Sequence, residues 1–91
     1  MNKGVLFKIL CWLAEHGPAR PQEISRIFGY PPGWLSRLRF NGLVMFMPHC
    51  EGKIWLSAKG YRLVLERRPD LKEKAQKWAA SIVYWSANDE L

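Results

Sequence analysis

The sequence is short of the residue patterns that most enzymes and metal sites need. It has two cysteines and two histidines, with no CxxC and no HxxxH spacing. Cys11 and His16 are five apart at the end of an expected helix and project to different sides, and the neighbours His49 and Cys50 diverge in an extended segment. No zinc set is expected from them, and in a reducing compartment both cysteines are expected as free thiols. There is no GxSxG, no glycine-rich phosphate loop and no carboxylate pair on an expected cleft. His16 and His49 read as surface residues rather than general bases, so the expectation is a non-enzyme with no cofactor and no metal. Long apolar runs are missing as well. Nothing approaches the ~20 residues of a membrane span, and the apolar residues after Lys3 meet Glu15 and His16 without a signal-type cleavage site. The expected location is the cytoplasm, away from membranes.

Acidic residues are scarce where basic ones are dense. The whole chain carries 14 Lys and Arg against 8 Asp and Glu, a formal charge of +6. Between Arg20 and Arg68 there are nine basic residues (20, 26, 37, 39, 53, 59, 62, 67, 68) and three acidic ones (23, 51, 66), which is +6. Residues 1–19 contribute +1 and residues 69–91 contribute −1. A basic excess confined to one stretch suits a polyanionic partner, and a generic solubilising surface is the plain alternative. Ninety-one residues with 48% hydrophobic content and five tryptophans exclude a disordered tail and allow one modest core.

The stretch from Arg20 to Val44 organises the rest. Its first helix is expected from about Pro21 to Phe28, with proline at a first helical position, Gln22 and Glu23 in the first turn, and Ile24, Ile27 and Phe28 inward. Gly29 ends it, because a residue just past a helix often needs positive φ, and Tyr30-Pro31-Pro32 cannot continue it. A second helix follows at about 32–41, with Leu35 and Leu38 inward and Ser36, Arg37 and Arg39 outward.

Helix 1 is expected from Lys3 to Glu15, with Leu6, Ile9, Leu10 and Leu13 as its stripe and Gly17-Pro18 as its stop. Leu43 to Pro48 and Lys53 to Leu56 read as a hairpin, with Ile54 and Leu56 inward and Lys53 and Trp55 outward. Pro48 closes its first strand, and His49-Cys50-Glu51-Gly52 forms its loop. Ser57 is the expected N-cap of a helix from Ala58 to about Arg67 that turns Tyr61, Val64 and Leu65 inward. Pro69 breaks the chain, Asp70 with Glu73 resembles a capping box, and a last helix reaches about Ser86. Leu71, Ala75, Trp78, Ile82 and Trp85 fall along it at spacings of 4, 3, 4 and 3, a heptad-like seam. Two readings of that seam stand: a homodimer interface, which is preferred, or a helix that folds back on helix 1.

In order and spacing these residues resemble the winged helix-turn-helix proteins, and among them the small MarR-, PadR- and ArsR-like transcription regulators. The matching text is Glu23-Ile24-Ser25 with Gly29, Leu35-Ser36-Arg37, Gly42-Leu43-Val44 and Leu56-Ser57-Ala58-Lys59-Gly60, over roughly residues 5–68. Between Leu35-Ser36-Arg37 and Gly42-Leu43-Val44 the chain is about one helical turn shorter than the family pattern. The resemblance implies a mainly α fold with a small β-hairpin, a three-helix core plus wing. It assigns 1–68 to the DNA-binding domain and 69–91 to an added C-terminal helix that dimerises or completes the core.

The implied partner is double-stranded DNA, read by a homodimer with the second helix in the major groove. Arg37 is the first candidate for a base contact, since guanidinium forms a bidentate fork to guanine, with Ser36 and Arg39 beside it. Trp34 packs on sugar or a thymine methyl, or else belongs to the core. Arg20, Arg26, Lys53, Lys59 and Arg62 are candidates for phosphate contacts. Lys53 and His49 belong to the wing, where Glu51 repels phosphate. No small-molecule effector can be identified. The rival expectation is a winged helix used as a protein-interaction or RNA-binding module, which aromatics exposed on the outer faces (Trp12, Tyr30, Trp34, Trp55) would favour.

Overall fold

Proline, glycine and serine set most of the element ends in the computed structural model, which describes residues 3–31, 33–47 and 52–81. The described chain is mainly helical with one small antiparallel pair of strands. Helix α1 spans Lys3–His16 and buries Ile9, Leu10, Leu13 and Ala14, while Leu6 is half-buried. It stops at Gly17, whose N–H donates to the Leu13 carbonyl at 2.8 Å and whose φ is +92°.

Helix α2 spans Pro21–Phe28, with Arg20 extended just before it and the Arg20 backbone N–H donating to the Glu23 carboxylate at 3.4 Å. Gly29 adopts the left-handed conformation (φ 69°, ψ 25°), and the N–H groups of Gly29 and Tyr30 both donate to the Ser25 carbonyl. That conformation is cheap only for a residue without Cβ, which is why the turn falls here. The inward side of α2 is Ile24, fully buried, with Phe28 packed between Trp12 and Tyr30. Ile27 corrects the expected pattern: it is 56% exposed.

Helix α3 spans Gly33–Phe40, eight residues, in keeping with the short segment the sequence allows. Its inward pair is Trp34 and Leu38, both at 0% exposure, and not Leu35 and Leu38. Trp34 fills the space beneath α2, and its indole Nε1 donates to Ser25 Oγ at 2.8 Å. The pair is four residues apart and so lies on one face, which leaves Leu35 at the flank, half-buried.

Strands β1 (Val44–Phe46) and β2 (Ile54–Leu56) pair antiparallel, with Val44 opposite Leu56 and Phe46 opposite Ile54. Ala19 bridges the other edge of β2, exchanging both backbone hydrogen bonds with Ile54 at 2.8 and 3.2 Å. All three β2 residues are at 0% exposure, so the expected alternation with Trp55 outward is overturned: both faces of β2 are covered. The expected loop residues from Pro48 to Glu51 lie outside the described residues.

Helix α4 spans Ala58–Arg67 with Ser57 as its N-cap, whose Oγ accepts from the Gly60 N–H at 3.1 Å and donates to the Gly42 carbonyl. Tyr61 and Val64 are buried from it and Leu65 is half-buried. A 3-10 turn over Pro69–Leu71 leads into α5, Lys72–Ala80. Asp70 does not cap α5 as the sequence suggests; its carboxylate is held by the Arg68 guanidinium at 2.8 and 3.0 Å.

The seam on this last segment is also corrected. Leu71 (5% exposed) and Ala75 (0%) belong to the same buried cluster as α1 and α4, so they are spent inside the chain and do not form a dimer interface. Burying a leucine is worth about 2 kcal/mol, which a second copy would have to replace before it could use that residue. Trp78 covers Gly17, where an added Cβ would stand 2.7 Å from the indole ring, and its Nε1 donates to the Glu15 carbonyl at 3.1 Å. Lys74 Nζ lies 3.0 Å from the Glu15 carboxylate, and its hydrogen bond, then its charge, hold that carboxyl below the usual carboxylate range. Ile82 and Trp85, and the expected end of the helix near Ser86, lie outside the described residues.

Candidate nucleic-acid interface

With Trp34 and Leu38 fixed inward, the opposite face of α3 follows at about 100° per residue. Gly33, Ser36 and Phe40 point outward along its middle, flanked by Arg37 on one side and Arg39 on the other. All five are exposed, Phe40 at 92%. Gly33–Phe40 contains no acidic residue. Asn41 continues the outer face past the helix end, its side-chain Nδ2 donating to the Arg37 carbonyl at 3.0 Å. Ser36, Arg37, Phe40 and Asn41 border one shallow depression.

The Arg39 guanidinium lies 4.6 Å from the centre of the Phe46 ring, which ties α3 to β1. A cation over an aromatic face is attracted by the ring's quadrupole and keeps its charge at the surface. Phe46, Leu35, Arg20 and Gly52 line a recess, and Arg20 also borders a second recess with Gln22, Glu23, Arg26 and Lys53. Arg39, Arg20, Arg26 and Lys53 therefore adjoin one another from α3, across the start of α2, to the foot of β2. Glu23 is the acidic residue among them, with its carboxylate turned to the Arg20 backbone N–H.

Not every expected contact residue joins this face. Trp34 is withdrawn: at 0% exposure, with its indole N–H bonded to Ser25, it cannot reach sugar or base, and its role is to support α3 from below. Lys59 reaches the end of α3 from the α4 side, its Nζ donating to the Asn41 carbonyl at 3.2 Å. There it offsets the negative end of the helix. It also borders a groove of about 310 Å³ floored by Leu6, Phe7, Leu10, Leu43 and Leu63, with Arg67 on the opposite rim. Arg62 is exposed one turn further along α4.

Phe40 is the surface residue that sequence reasoning passed over. The signal was present: either choice of inward pair, Trp34 with Leu38 or Leu35 with Leu38, turns position 40 outward. The four aromatics whose exposure would have favoured a protein-interaction module are not laid bare. Trp34 and Trp55 are fully buried, Trp12 stacks on His16 at 4.6 Å, and Tyr30 stacks on Phe28 at 5.5 Å.

Cys11 is a buried free thiol, and burial pushes its pKa up, away from the reactive thiolate. Among the described residues no three His, Cys, Asp or Glu side chains converge, and no helix is long and apolar enough to cross a membrane. Comparison with protein-family models, with curated proteins and with solved structures returns no match to this chain.

Proposed function

We propose that this chain is a winged helix-turn-helix protein that binds double-stranded DNA in a sequence-specific way and regulates transcription. The observation that carries the reading is the outer face of α3: an exposed, acid-free helical surface next to a tight glycine turn, with arginines on both flanks and three more cations beside it. A helix of this kind fits a major groove about 12 Å wide, where Arg37 faces the base edges and the neighbouring cations meet the phosphates. In this reading α1, α2 and α3 form the three-helix core, with α2 bracing α3 and α4 packed on α1, and the β1–β2 pair is the wing. The protein works in the cytoplasm and needs no cofactor.

Homodimerisation remains part of the proposal, because a two-fold protein matches a palindromic site. Its interface is not the pair Leu71 and Ala75. Trp78, 38% exposed, is the described member of the seam that still offers apolar surface.

A second reading, docking to a protein or an RNA, draws on Phe40 and Ile27, which are 92% and 56% exposed. One experiment separates the two. Fluorescence anisotropy with a mixed-sequence duplex, comparing the wild type with an Arg37→Ala/Arg39→Ala double variant, should show the variant weaker by about 1 to 3 kcal/mol or more. Equal affinity would remove DNA from α3, and an absence of duplex binding at low salt would leave the interaction module as the better account.

A further inference from the structure

Phe40 is the one large apolar side chain on the outer stripe of α3, and at 92% it is the most exposed large hydrophobic residue among those described. It is not the edge of an apolar patch. Its surface neighbours are Ser36, Arg37 and Asn41, one cation and two hydrogen-bonding side chains. A protein-docking anchor is ringed by contacts that exclude water, and these neighbours hold water instead. They do suit the edges of base pairs. In the major groove guanine offers acceptors to a guanidinium, and the C5 methyl of thymine is the apolar group on display.

We propose that Phe40 is a thymine-reading residue: its ring packs on the C5 methyl of a thymine while Arg37, on the same exposed surface, takes the acceptors of a neighbouring base. The inference rests on the DNA-binding reading and adds to it the identity of one base. Spacing fixes where that base lies. Phe40 follows Arg37 by three positions, a rise of about 4.5 Å along α3 at 1.5 Å per residue, against roughly 3.4 Å per base step. The thymine is therefore one or two pairs from the base that Arg37 contacts.

The test begins with selection of a random duplex library by the full chain. The enriched duplex is then remade with deoxyuridine replacing each thymidine in turn, which removes the methyl and leaves the hydrogen-bonding edges intact. At one position the wild type should lose roughly threefold to tenfold in affinity, the scale of one buried methyl. Phe40→Ala should bind the two forms equally, and Phe40→Leu should keep part of the difference. Selection with Arg37→Ala should lose specificity one or two pairs away. Because Phe40 is so exposed, Phe40→Ala should melt like the wild type.

Equal binding of the thymine and uracil forms by the wild type, or a difference that persists in Phe40→Ala, would overturn the assignment. Salt-dependent duplex binding without any such difference overturns the thymine contact alone. No binding to any duplex overturns both this inference and the reading beneath it.

Discussion

Gly60→Ala should destabilise the protein, although alanine is the better helix former. Gly60 is in the first turn of α4, and a Cβ built there would stand 2.1 Å from the Leu43 carbonyl oxygen and 3.0 Å from its carbon. Ordinary carbon-to-oxygen contacts begin near about 3.3 Å, so Leu43 and α4 would have to part by about 1 Å. The same carbonyl accepts the Ser57 N–H at 3.1 Å, and the Ser57 hydroxyl caps α4 through the Gly60 N–H. The clash therefore strains a hydrogen bond and a helix cap together. Overpacking costs about 1 to 3 kcal/mol and a weakened hydrogen bond about 1, against a helix-propensity gain of at most about 1. The net loss should be about 1 to 3 kcal/mol, a drop in Tm of roughly 5 to 20 °C for a domain of this size. Urea unfolding followed by tryptophan fluorescence and by circular dichroism measures it. Gly33→Ala is the control, because nothing lies within 4 Å of a Cβ added there, and it should be neutral or slightly stabilising. A Gly60→Ala protein as stable as Gly33→Ala would refute the close approach of α4 to Leu43.

Ser25→Ala removes the acceptor for the Trp34 indole N–H and leaves a donor on a fully buried ring; thermal melts should show a loss of about 1 to 2 kcal/mol, and an unchanged Tm would contradict the α2–α3 contact. Lys74 holds the Glu15 carboxyl, and Arg68 holds that of Asp70, below the usual carboxylate range. Groups depressed in the folded state contribute stability above their unfolded pKa and lose it as pH falls through the folded value. Tm should therefore hold from pH 7 to about 5 and fall below about 4, near and under the unfolded carboxylate values. Added salt should shrink this fall, since both pairs are exposed; a decline already complete at pH 5 would point to other groups. Sedimentation velocity of the wild type and of Trp78→Ala tests the proposed homodimer. A dimer weakened by Trp78→Ala supports that interface, and a monomer at high protein concentration removes dimerisation from the account.

Where local chemistry decides, the elements could be read from the sequence. Pro21, the left-handed Gly29, Gly17 and the Ser57 cap act within four residues of themselves, and α1, α2 and α4 begin and end within a residue of expectation. What a face packs against is not local. Trp34 and Leu35 are adjacent apolar residues, and it is Trp34 that is fully buried, with its indole N–H on the Ser25 hydroxyl of α2, a partner distant in sequence. Trp55 looked outward by alternation, yet β2 is covered on both sides. The seam of α5 has the spacing that a dimer or an intramolecular helix pair would need alike, and Leu71 and Ala75 took the intramolecular partner. The site follows the same division: the cations were visible as residues, but their adjacency through Phe46 and Arg20 depends on how the β1–β2 pair meets α2. The outward position of Phe40 follows from the helical wheel alone.

Salt dependence of duplex binding tests the central claim most directly. With Arg37 assigned to a base, Arg20, Arg26, Arg39 and Lys53 are the cations left for phosphates on and beside the outer face of α3. Each phosphate they neutralise contributes about −0.9 to the slope of log K against log salt. Four such contacts give a slope of about −3.6, and roughly a hundredfold loss of affinity between 50 and 200 mM salt. The wild type should show that slope, and Arg37→Ala/Arg39→Ala a shallower one by about 1, the share of Arg39. A slope near zero, or one that the double variant leaves unchanged, would contradict DNA binding through α3.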